Sequence, residues 1–301
     1  MIMVIMFRKF RWLILLVVLA LVSGCAPSNS SGRPLIVTAF YPLAFLVEAI
    51  VGDLADVSTL VPPGVEPHDY ELTPSQVASL RTATLAVYQA GVSAAIDQAF
   101  AQATSPVLET GALVPRLAAT DDDNGDHYGD DPHTWLDPGN MRVFAGAVGE
   151  AVASASPEHA EAYRANAAAL DARLGALDEA YRAGLVGCER TAFLTTHAAF
   201  GYLAGAYGLR QLSIAGVTPD DEPSPARLVE LARQARAEGL TTVFFEVLVS
   251  PDYANTLAAD LGLRVDVLDP IEAITAESRG GDYVGVMESN LAALRTANGC
   301  P

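Results

Sequence analysis

SPEHAEAYRANAAALDARLGALDEAYRAGL, residues 156–185, is the stretch on which the reading of the fold turns. Ser156 and Pro157 stand as N-cap and first helical residue. After them Tyr163, Ala167, Leu170, Leu174, Leu177 and Tyr181 recur at steps of four, three, four, three and four. That is one apolar stripe on a helix of about 28 residues, about 40 Å long at 1.5 Å per residue. A helix of this length spans more than a single lobe, so the chain on either side of it reads as two separate lobes. His159, on its first turn, reads as a solvated residue.

Upstream, strand-like and helix-like segments alternate. PLIVTAF (34–40) is a short β-branched and apolar run, followed by YPLAFLVEAIVGD at helical spacing. DVSTLVP (56–62), LAVYQA (85–90) and PVLETGAL (106–113) are further strands, with Thr73 and Pro74 opening a helix between the first two of these. Downstream the same alternation resumes with TAFLTTH, QLSIAGV, TTVFFEV and RVDVLDP. Alternation of this kind predicts parallel sheets with helices on their faces, an α/β fold. The expected boundaries are residues 34–138 for an N-terminal lobe, 139–186 for linking helices and 187–301 for a C-terminal lobe.

Residues 1–24 lie outside that fold. Arg8, Lys9 and Arg11 precede the apolar run Trp12–Val22, which suits a secretory signal better than a bilayer span. LVSGC then resembles a bacterial lipobox, in which cleavage precedes Cys25 and its thiol carries lipid; an uncleaved anchor with an incidental cysteine is the competing reading. Residues 25–33 read as a polar tether. Export leaves Cys188 and Cys300 in an oxidising space, either as a disulfide or as two buried thiols. A bridge would close a loop of about 110 residues and be worth at most about 4–5 kcal/mol.

Charge excludes several function classes. Taking the three signal cations from 18 basic residues leaves 15 against 36 acidic ones, a net charge of −21. Such a chain does not hold nucleic acid through its phosphates. Lys9 is the only lysine, so the exported chain has no P-loop lysine and no Schiff-base lysine. Hydrophobic residues make up 51% and aromatic residues only 7%, which predicts a core packed from Ala, Leu and Val.

Three of the five histidines fall at corresponding places. His68 lies in the loop EPHDY after the second strand, His133 in DDPHTWLDP before the linking helices, and His197 at the end of TAFLTTH. Asp269 ends the strand in RVDVLDP. Sites in open α/β sheets gather beyond the carboxyl ends of strands, so these four are expected to converge on the interlobe cleft. Three imidazoles and a carboxylate form a tetrahedral set suited to Zn²⁺; Mn²⁺ prefers more oxygen, and Cu²⁺ or Ni²⁺ would also bind. Singly, each histidine is more often a hydrogen-bonded structural residue than a ligand. Glu246, at the end of TTVFFE, is expected to accept a ring N–H from a coordinated histidine, with Glu66 and Asp69 weaker candidates for the same role. His127, in DDDNGDHYGDD, is a possible auxiliary ligand.

PHDYELTPSQ, DPHTWLDP, TTHAAFGYLAGAYGL, VTPDDEPSPARL, FFEVLVSP, VLDPIE and DYVGVMESNLAALR, in this order, resemble the zinc/manganese (cluster A-I) substrate-binding lipoproteins of bacterial metal ABC importers. The likeness covers essentially all of residues 34–300. It implies two (β/α) lobes joined by one rigid helix with the metal between them, and ligands His68, His133, His197 and Asp269. Manganese-specific members have a glutamate at the position of His197, so the histidine implies zinc. The chain departs from many zinc members in having a short aspartate-rich loop where they have a long histidine-rich one. It also lacks, in VYQAGVSAAI, their common Asn-Gly pattern. The expectation is a lipid-anchored, monomeric, extracytoplasmic Zn²⁺ receptor that serves a membrane permease and is not an enzyme. The alternatives are a zinc hydrolase, which needs an open water position and a general base, and a Mn²⁺ receptor or adhesin of the same fold.

Overall fold

The computed structural model describes residues 32–119, 129–219 and 223–301. From Pro34 to the end the chain is one compact unit. The signal, residues 25–31 of the tether with Cys25, and His127 lie outside the described residues.

The first sheet has four parallel strands, β1 (Leu35–Thr38), β2 (Asp56–Thr59), β3 (Leu85–Tyr88) and β4 (Val107–Glu109), in the order β2-β1-β3-β4. The helices are α1 (Tyr41–Val51), α2 (Pro74–Ser79) and α3 (Ala94–Ala101). Thr73 caps α2 in a capping box with Gln76, and Pro74 takes the first position, as the sequence predicts. The second sheet, β5 (Ala192–Thr195), β6 (Arg210–Ser213), β7 (Thr242–Phe245) and β8 (Arg264–Val267), is also parallel and repeats the pattern as β6-β5-β7-β8.

Two helices join the sheets, α4 (Pro138–Ala155) and α5 (Ala160–Gly184). Every member of the expected stripe on α5, from Tyr163 to Tyr181, is buried. Its start differs from expectation. Ser156 turns its hydroxyl to Glu158 instead of capping the helix, a 3-10 turn covers Pro157–His159, and the α-helix begins at Ala160. The resulting 25 residues still reach about 37 Å. Near one end the Asn166 amide donates to the Ile50 carbonyl of α1. Near the other, the Tyr181 hydroxyl donates to the Met287 carbonyl at 2.7 Å. Between α4 and α5, Gly149 faces Ala167: a Cβ on Gly149 would stand 2.6 Å from the Ala167 methyl.

In the C-terminal part the helices are α6 (Gly201–Tyr207), α7 (Pro225–Ala237), α8 (Asp252–Leu261) and α9 (Tyr283–Asn298). One core runs from the first sheet through α4 and α5 to Phe193, Phe244, Tyr283 and Leu294. A smaller core lies between the second sheet and the α7–α8 pair, around Leu194, Leu212, Leu231 and Val243. Cys188 and Cys300 are joined in a disulfide, 112 residues apart in sequence, which ties the end of the chain to the segment after α5. Among the described residues no helix is long and apolar enough to cross a membrane.

Candidate metal site

Both sheets change direction of winding between their two central strands, β1 and β3 in one, β5 and β7 in the other. Loops beyond the carboxyl ends of strands converge there, which is where open α/β sheets collect ligands. His68 comes from the loop between β2 and α2. His133 opens the 3-10 turn Thr134–Leu136, and His197 follows β5 by two residues. The structure brings all three imidazoles together in one buried cluster with a fourth residue, Glu272.

Two of the three imidazoles are held from behind, and the loop that carries the third is braced through its backbone. The His68 and Asp69 backbone N–H groups donate to the Glu66 carboxylate, which thereby shapes the loop and does not orient the ring. Asp69 itself is exposed. His133 gives both its backbone N–H and its Nδ1 to Asp131 Oδ1, at 2.9 and 2.8 Å. His197 Nδ1 lies 2.6 Å from Glu246 Oε1, which also accepts from the Thr196 hydroxyl. A carboxylate on Nδ1 requires a hydrogen to sit there, so Nε2 of His133 and of His197 is the atom turned to the cleft, and it offers a lone pair to a cation once the ring is neutral.

Asp269, expected as the fourth ligand, is outside the cluster. Its Oδ1 accepts the Ile271 N–H at 2.8 Å and its Oδ2 accepts the Ser278 hydroxyl at 3.0 Å. Asn290 of α9 grips its backbone on both sides, accepting from its N–H and donating to its carbonyl. The carboxylate reaches the site three residues later because Ile271 adopts φ 60°, a left-handed conformation that turns the chain back and presents Glu272. For a β-branched residue this is a costly conformation, of order 1–3 kcal/mol.

The four donor atoms lie within 4.8 Å of one another, and four of their six separations are 3.4–3.6 Å. His133 Nε2 and His197 Nε2 are 3.4 Å apart. Glu272 Oε1 is 3.4 Å from His68 Nε2, 3.4 Å from His133 Nε2 and 3.6 Å from His197 Nε2. A tetrahedral ion at 2.0–2.1 Å from its ligands sets those ligands about 3.3–3.4 Å apart. Neighbours in an octahedral shell at that radius would stand about 2.8–3.0 Å apart. His68 Nε2 and both Glu272 oxygens are buried with no hydrogen-bond partner. Buried polar atoms are seldom left this way, and a carboxylate least of all, unless a cation is their partner. The donor set therefore fits a small tetrahedral divalent ion.

The electrostatics are consistent with mutual attraction across the cleft. Burial raises Glu272, but the attraction of the His133, His197 and His68 imidazoles, 3.4–3.6 Å from its Oε1, outweighs it and holds the carboxyl well below its ordinary value. Burial pushes His197 down, and the charge of Glu246 with its hydrogen bond more than reverses this, to about 10. His133 is raised in the same way, burial being outweighed by Asp131 and Glu272. Asp269 is pushed up to about 6, chiefly by burial.

Sequence reasoning missed Glu272, Asp131 and Ile271. Asp131 had a usable signal, an acid two residues before the imidazole it orients. Glu272 had only its place in VLDPIE.

A family model described as "Zinc-uptake complex component A periplasmic" matches residues 36–297. The chain is 36% identical over 292 residues to the zinc-binding lipoprotein AdcA of Streptococcus pneumoniae, covering 92% of this chain and 58% of that protein. It thus spans less than two thirds of that relative. With the high-affinity zinc uptake system protein ZnuA of Bacillus subtilis it shares 32% identity over 312 residues, covering 96% and 98% of the two chains. Among solved structures, the Zn(II)-bound ZnuA-like domain of S. pneumoniae AdcA matches with a TM-score of 0.75 at 34% identity, covering 89% of this chain and 99% of that one.

Proposed function

The chain belongs to the family of periplasmic zinc-uptake components A, and from that premise we propose that it is an extracytoplasmic Zn²⁺ receptor. It captures the ion between its two lobes and delivers it to the permease of an ABC importer. The ion is cargo, held by Nε2 of His68, His133 and His197 and by a carboxylate oxygen of Glu272. The observation that carries this reading is the near-tetrahedral spacing of Glu272 Oε1 against the three imidazoles.

Four protein donors fill a tetrahedral shell. A zinc hydrolase keeps one position for water and sets a general base beside it. Glu246, the residue that could serve as that base, is engaged with His197 Nδ1 and the Thr196 hydroxyl instead. This supports a receptor that performs no chemistry on its cargo. The family's extracytoplasmic setting and the lipobox-like LVSGC support attachment through a lipid on Cys25. Monomeric action is the simplest reading of a site completed within one chain.

Titration of the stripped protein with Zn²⁺ and Mn²⁺ tests the proposal. One tight site that prefers Zn²⁺, weakened at least about tenfold by His197→Ala and by Glu272→Gln, is the expected result. Two equal tight sites, or binding indifferent to both substitutions, would sink it. Loss of labelled fatty acid from the cellular protein on Cys25→Ala tests the anchor.

A further inference from the structure

Glu272 sits at the tip of a turn that is bent the wrong way for its residues. On the C-terminal side, Asp269 clamps the turn through the Ile271 N–H, and Asn290 clamps Asp269. On the other side stands one directed contact from the element that carries His133. The Trp135 indole Nε1 donates to the Pro270 carbonyl at 2.8 Å, fully buried. Trp135 is two residues beyond His133, and Pro270 is two residues before Glu272. The Trp135 carbonyl in turn accepts the Tyr283 hydroxyl at 2.6 Å. Aromatic packing fixes both rings: Phe40 meets Trp135 edge-on at 4.9 Å, and Phe45 stacks on Tyr283 at 5.3 Å.

We infer that Trp135 is a positioning residue that sets Glu272 against the three imidazoles by tying Pro270 to the segment bearing His133. The inference rests on the receptor reading of the cleft. A turn with isoleucine in the left-handed region relaxes when nothing restrains it, because the extended conformation suits a β-branched side chain better. Relaxation at Ile271 would swing its immediate neighbour, Glu272, and leave a three-histidine site. The indole hydrogen bond restrains the residue next to Ile271 from the opposite side of the cleft. Its partner is a backbone carbonyl, so the tie depends on the indole N–H alone.

The test uses the full chain, purified in detergent, with Trp135→Phe, Glu272→Gln and the double substitution, each titrated with Zn²⁺. Trp135→Phe keeps a ring against Phe40 and removes the donor. It is expected to weaken zinc binding by about tenfold or more, as removal of a group that orients a ligand does. Once Glu272 is glutamine, the same change is expected to cost nothing further. The visible absorption of the Co²⁺-loaded Trp135→Phe chain is expected to shift towards that of Glu272→Gln. Tyr283→Phe, which frees the Trp135 carbonyl, should move affinity and spectrum the same way by a smaller factor, and it decides the matter by the same cycle if Trp135→Phe does not fold. Equal losses with and without Glu272, or an unchanged Co²⁺ spectrum, would overturn the inference. A parent chain that binds no zinc, or a Glu272→Gln chain that binds as the parent does, would overturn the receptor reading itself.

Discussion

Nδ1 of His197 lies 2.6 Å from Oε1 of Glu246, and the pair is buried to 1% and 2% exposure. The carboxylate fixes the tautomer and makes Nε2 a better donor to a cation. Glu246→Ala is therefore expected to weaken zinc binding by about 10–100-fold although Glu246 is not itself a ligand in the proposed shell. Isothermal titration of the parent and variant chains gives the answer. An affinity within a factor of two of the parent would remove Glu246 from the account.

Zinc uptake should release protons at neutral pH. In the metal-free chain His197 is held up to about 10, burial being outweighed by Glu246 and Glu272, so at pH 7 it carries a proton that the metal must displace. His133 is raised as well. Binding enthalpies measured in buffers of different ionisation heat should reveal at least one proton released per ion. Affinity should fall steadily as pH is lowered, with the metal lost near about pH 5. Binding with no proton release at pH 7 would contradict the assigned imidazoles.

Asp269 carries a different pH signature. Burial raises its folded-state value from 3.8 to about 6, so the folded chain binds more protons than the unfolded one across that interval. Its contribution to stability is thus present below pH 3.8 and is lost as pH rises through about 6. Asp269→Asn keeps an acceptor for the Ile271 N–H and does not ionise. Relative to the parent it should gain stability between pH 4 and 7, by up to about 3 kcal/mol at about 1.4 kcal/mol per pKa unit. Denaturant unfolding of both metal-free chains at the two pH values measures this.

Much of this was legible from residues alone. The strand–helix alternation and the stripe from Tyr163 to Tyr181 are local patterns, and both sheets and α5 follow them closely. His68, His133 and His197 could be found because they end strands or occupy proline-bounded loops, where topology sends them to one place. Glu272 could not be ranked over Asp269 by position, since Asp269 is the residue that ends the strand. What separates them is the backbone of Ile271, whose left-handed φ has no signature in an isoleucine codon or its neighbours. Nothing in DDPHTWLDP singles out Trp135, because its bond to Pro270, 135 residues away, is a tertiary fact.

Two of the three glycines of α4, Gly146 and Gly149, make a matched pair. Gly149→Ala would force a methyl to 2.6 Å from Ala167, and the helices would have to part, at a cost of about 1–3 kcal/mol. Gly146 is exposed on the same helix with nothing within 4 Å of an added Cβ. Gly146→Ala should instead stabilise by about 0.5–1 kcal/mol through the lower entropy of the unfolded chain. Opposite shifts in thermal midpoint are the expected pattern, and shifts of the same sign would refute the close crossing.

The 25-residue helix α5 behaves as a strut. Opening a crevice widely about a loop needs only a few changed dihedrals, whereas folding a rod costs several ladder bonds at once. Cargo loading should therefore alter girth very little, and X-ray scattering profiles of stripped and zinc-filled protein should nearly superimpose. The permease would then have to sense occupancy through fine surface detail at the rim, because no gross gape is on offer.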